Sequence, residues 1–110
     1  MIVDKKDKYT LISSNEHSLK AFQSSFFEMI EAFKKVHVVL QISEEINIKN
    51  KEFSLFLKFA EQKKEEGTSF VIINSVVNID MFAESINIVP TLQEAEDILE
   101  MEAIERSLGF

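Results

Sequence analysis

The chain contains no cysteine. That excludes disulfides, thiolate metal ligands and a cysteine nucleophile, and it fits a reducing compartment such as the cytoplasm. Glycine is nearly absent: only Gly67 and Gly109 occur, and both stand where a helix is expected to end. Without a Gly-rich loop to cradle phosphates, Rossmann and P-loop nucleotide sites are set aside. The two histidines, His17 and His37, form no H-x-x-x-H or H-x-H-x-D spacing. A zinc hydrolase therefore has no ligand set. The same lack counts against an enzyme of the ribonuclease Z type, whose metal chemistry needs a histidine-rich motif. No uncharged apolar run approaches the roughly 20 residues that span a bilayer, and MIVDKKDKYT has no apolar h-region. Neither a membrane insertion nor a signal peptide is expected. Positive charge is also in deficit, with 12 Lys and Arg against 19 Asp and Glu and a net charge of −7. That balance argues against binding nucleic acid, which needs clustered cations. It suits solubility and a basic protein partner.

What remains is one domain, 1–110, long enough to bury a core without staples. Ten Phe residues supply much of that core. Two β-prone runs flank the polar stretch 4–8, so a hairpin is expected, with a strand at 8–12 and a shorter edge strand at 2–3. Ser13 and Glu16 form an S-x-x-E capping box. Behind it Leu19, Phe22, Phe26, Met29, Ile30 and Phe33 recur at helical spacing and predict a helix over 15–34. Phe27 departs from that stripe. The run 36–42 is rich in β-branched residues and suits a central strand. Asn50 is a good N-cap for a helix carrying Phe53, Phe56, Leu57 and Ala60 and closed by Gly67. The run 69–74 is a second buried-type strand, so 36–74 is a right-handed βαβ unit. A short helix at 78–84 and a strand at 86–89 follow. Pro90 stops that strand, and Thr91 and Glu94 open a last helix running to about Leu108. Its expected apolar positions are Leu92, Ala95, Ile98, Leu99, Ala103 and Ile104. Alternating strands and helices indicate an α/β fold: a small mixed, mainly parallel sheet of 4–5 strands packed with about four helices.

No residue cluster specifies catalysis. The adjacent pairs Glu44–Glu45 and Glu65–Glu66 read as solvated surface, since acid–base work needs two carboxyls in contrasting environments across a cleft. The acidic side of the last helix suits solubility, or docking of a basic partner. Both histidines read as surface or boundary residues. The functional question then falls on the loop that delivers the chain to Asn50, because open α/β sheets meet their ligands beyond the carboxyl ends of their strands.

The string VVLQISEEINIKNKEFSLFLKFAEQKKEEGTSFVIIN resembles the centre of a STAS domain, the sulfate transporter and anti-sigma factor antagonist family. That family shows an apolar strand written VVLDLS, a loop ending in Asp-Ser, a helix and a strand. The later short helix, short strand and final helix fit its order from about Lys8 onward. The resemblance implies a non-catalytic, cofactor-free bacterial interaction domain. Its partner would be an anti-sigma factor, a kinase-like regulator or a transporter component. It implies binding through Ile46, Asn47, Ile48, Lys49, Asn50, Phe53 and Ser54. The departures fall at the regulatory site. Lys49 stands at the usual Asp, and Asn50 at the usual phosphorylatable Ser. Glu52 and Ser54 replace the Gly positions, and Gln41 stands where the preceding strand often has Asp. A phosphoserine at a helix start sets a dianion beside unpaired N–H groups. Asn50 can cap those groups but has no hydroxyl, so the phosphosite is degenerate. Ser43 and Ser54 are nearby hydroxyls that read more simply as polar surface. The alternative is a small-ligand or lipid-binding STAS-like subunit of a transport complex, using an apolar groove.

Overall fold

The computed structural model describes residues 1–43, 46, 54–74 and 87–109. Five strands form one sheet in the order β1 (Ile2–Lys5), β2 (Thr10–Ser13), β3 (Val38–Gln41), β4 (Phe70–Ile73) and β5 (Asn87–Val89). β1 pairs antiparallel with β2; the other neighbours are parallel. This is the mixed, mainly parallel α/β sheet expected from the strand and helix alternation. The hairpin forms without a strong turn dipeptide, closed by a Lys6 N–H to Tyr9 C=O bond of 2.8 Å.

Two helices, α1 (Leu19–Glu28) and α2 (Ile30–Phe33), connect β2 to β3, and α3 (Ser54–Glu66) precedes β4. Because the strand order keeps advancing in one direction, crossovers of one hand place α1 and α3 on the same face. Strand alternation then sorts the side chains. Ile12, Val38, Leu40, Phe70, Ile72 and Ile88 face α1 and α3, whose Phe22, Phe26, Phe56 and Phe59 fill that layer. Val39, Val71 and Ile73 face the other way and are covered by α4 (Leu92–Ser107) through Ala95, Leu92, Ile98 and Leu99. β3 and β4 are buried on both faces, which is why their sequences are continuous apolar runs.

The aromatic layer is centred on Phe26. Its ring stacks on Phe33 at 5.4 Å and meets Phe56 and Phe59 edge-on at 5.7 and 5.2 Å. Phe27, outside the helical stripe, still packs on this layer, 5.3 Å from Phe26. Beside it lies Lys63, 1% exposed. Its ammonium sits 5.5 Å from the Phe59 ring centre and donates to the carbonyl of Phe33 at 2.9 Å and to that of Val36. It thereby satisfies backbone acceptors where α2 ends.

Three expectations are corrected. The first helix starts at Leu19, capped by Ser18, whose hydroxyl accepts the Ala21 N–H at 3.1 Å. Ser13 instead ends β2, paired with Ile2 and Gln41. The Glu16 carboxylate is taken by the Asn15 N–H and the Met1 ammonium, at 3.0 and 2.7 Å. Next, the stripe over 15–34 is two helices rather than one. At Met29 the backbone leaves the helical region (φ −108°, ψ 12°), while the apolar spacing continues across the break. Finally, Ile104 is 55% exposed. It lies with Met101 and Leu108 on the outward side of α4, opposite Ala95. The helix stops are as expected. Gly67 takes φ 79°, with Thr68 N–H bonded to Lys63 C=O at 2.9 Å and Gly67 N–H to Lys64 C=O at 3.2 Å, the Schellman pattern that favours glycine. Thr91 caps α4 through the Glu94 N–H at 3.2 Å. The expected helix at 78–84 lies outside the described residues.

Candidate functional site

The carboxyl ends of the parallel strands are laced together. Ser14 Oγ accepts the Ser43 N–H at 2.8 Å, and Asn74 Nδ2 donates to the Ile42 carbonyl at 3.3 Å. The Ile42 N–H reaches Ile73 C=O at 3.1 Å, and the Asn74 N–H reaches Val89 C=O at 2.9 Å. The chain therefore leaves β3 from a hydrogen-bonded rim. Ile46, 5% exposed, inserts into the aromatic layer, and its N–H bonds Ser43 C=O at 3.1 Å. It is a buried anchor in the core rather than exposed contact area. Ser54 begins α3. Asn47, Ile48, Lys49, Asn50 and Phe53, including the degenerate phosphosite Asn50, lie outside the described residues.

At the opposite end of the sheet there is a cavity of about 600 Å³. Register creates it. Thr10, Val38 and Phe70 are paired across β2, β3 and β4, so the residues just before them, Tyr9, His37 and Ser69, meet at the amino edge. Tyr9 and His37 line the cavity; Asp7 and Lys8 close one side, and the flank of α4 closes the other.

The polar groups here are ordered. The Tyr9 hydroxyl donates to the Glu96 carboxylate at 3.0 Å. Burial, then this carboxylate, pushes the phenol pKa up, so the group stays a neutral donor. The Ser69 N–H donates to His37 Nδ1 at 2.9 Å. Burial first, then the nearby Arg106 and Lys63 cations, holds the imidazole below its ordinary pKa. His37 is therefore neutral at pH 7, with its ring proton on Nε2. Arg106 donates to Ser69 Oγ at 3.2 Å and forms no ion pair among the described residues.

Sequence reading placed the site at one end of the sheet and left His37 as a boundary residue, with Tyr9 and Arg106 unremarked. The signal was available only through register: Tyr9 and His37 each stand one position before a parallel strand, and Arg106 lies in the last turn of the covering helix. Among the described residues no three His, Cys, Asp or Glu side chains gather to hold a metal ion, and no helix is long and apolar enough to cross a membrane. No family model matches the chain, and no curated protein matches it.

Proposed function

We propose that this chain is a non-catalytic, STAS-like protein-interaction domain of the bacterial cytoplasm, resembling an anti-sigma factor antagonist without the serine phosphorylation switch. Its partner is an anti-sigma factor, a kinase-like regulator or a transporter component. Ile46, Asn47, Ile48, Lys49, Asn50, Phe53 and Ser54 engage it, with Ile46 as the buried anchor. The observation that supports this reading is the order of elements. An N-terminal hairpin leads into β2–β5 in sequential parallel order, and the connection to α3 departs from the carboxyl end of the central strand. That is the end of an open α/β sheet where binding concentrates. The net charge of −7 favours a basic partner surface.

Affinity capture with wild-type protein and Asn50→Arg tests the assignment. Loss of the captured protein with the variant supports it; equal capture removes the edge from the interface. Incubation with the cognate kinase and ATP tests the missing switch. An unmodified protein is expected, and phosphate on Ser43 or Ser54 overturns that part of the reading.

A further inference from the structure

The cavity at the amino ends of the strands shares no residue with the proposed docking edge. Its volume of about 600 Å³ lies in the range of small-molecule sites. Its charges are sorted along the flank of α4. Glu96 and Glu100 come first, then Arg106, about 9 Å beyond Glu100 along the helix axis. Leu99 lies between Glu96 and Glu100, and Ala103 between Glu100 and Arg106, on the same lining. The Arg106 guanidinium is oriented by Ser69 Oγ at 3.2 Å. That bond uses one N–H of five, leaving a fork free for a carboxylate. Because the Ser69 N–H occupies His37 Nδ1, the Nε2–H is a second donor on the wall. With His37 neutral, the lining carries three carboxylates (Asp7, Glu96 and Glu100) against two cations (Lys8 and Arg106). A bare anion meets net negative surroundings there. A ligand carrying both charges, spaced like the wall, does not.

We propose that this cavity binds a small zwitterion of di- or tripeptide length. Its carboxylate lies on Arg106 and the His37 Nε2–H, its ammonium against Glu100 and Glu96, and its apolar middle over Leu99 and Ala103.

Isothermal titration with trialanine, trialanine amide and N-acetyl-trialanine tests this. Trialanine binds, and each blocked form binds about ten-fold or more weakly, the loss expected when one charge-assisted contact goes. Arg106→Met erases the preference for the acid over the amide. Glu100→Gln, on an exposed position, erases the preference for the free over the acetylated amine, and so keeps the test valid if Arg106→Met does not fold. Absence of trialanine binding up to about 10 mM, a weak-binding ceiling, overturns the proposal. Equal affinities for the three peptides, or variants that discriminate as the wild type does, overturn it too. The docking edge is untouched by either result.

Discussion

The Ser69 amide N–H donates to His37 Nδ1 at 2.9 Å, and the same serine's hydroxyl accepts from Arg106. One residue thus fixes an imidazole tautomer and aims a guanidinium. That N–H···Nδ1 hydrogen bond exists only while Nδ1 is unprotonated. A proton there sets two donors against each other.

Stability therefore depends on pH through His37. Its folded pKa lies below the usual value of 6.5, so below about pH 6.5 the unfolded chain takes up a proton that the folded chain refuses. The His37 contribution is intact at pH 7 and is lost as pH falls through that window. Urea midpoints at pH 7 and pH 5 check this. His37→Asn, whose amide oxygen offers a similar acceptor, should lose less stability over the same interval than the wild type.

Lys63 predicts the opposite end of the scale. Burial lowers its pKa from 10.5 to about 8. Between those values the unfolded chain holds a proton that the folded chain has released, so the Lys63 contribution to stability rises with pH. The neutral amine still has two N–H groups for the carbonyls of Phe33 and Val36. Relative to Lys63→Met, the wild type should gain stability from pH 8 to pH 10; parallel urea midpoints would refute the buried placement.

Helix starts supply a local test. Ser18→Ala and Thr91→Ala each remove a side chain that accepts a first-turn N–H and should each cost about 0.5–2 kcal/mol. Ser13→Ala should cost less, because Ser13 closes a strand. Thermal unfolding of the three variants distinguishes the two possible caps of α1.

The aromatic layer and the outer side of α4 form a contrasting pair. Phe26→Ala opens the centre of a ring cluster and should cost about 3–5 kcal/mol. Ile104→Ser changes an exposed position and should stay within about 0.5 kcal/mol. Denaturant unfolding measures both.

The fold was legible where physics acts locally. The continuous runs of β3 and β4, the Phe spacing and the glycine stops at 67 and 109 each name an element without help from the rest of the chain. The misreadings came from competition between local signals. Ser13-x-x-Glu16 satisfies the capping-box pattern as well as Ser18 satisfies a cap, but strand pairing claims Ser13 first. A periodic stripe does not register a break at Met29, since apolar spacing survives a one-residue kink. Ile104 fits the apolar period of α4, yet the sheet is covered by the turn around Ala95, and the helix's far end presents Ile104 to solvent. The amino-end cavity was invisible for a different reason: Tyr9, His37 and Ser69 are distant in sequence, and only the parallel register aligns them.

The central claim, that the edge at 46–54 rather than the amino-end cavity takes the protein partner, is tested most directly by binding isotherms of the captured partner. The three proteins are the wild type, Asn50→Arg and Arg106→Met, each first shown to be folded. The prediction is a loss of about ten-fold or more with Asn50→Arg and wild-type affinity with Arg106→Met. Wild-type affinity for Asn50→Arg, or a loss confined to Arg106→Met, would contradict it.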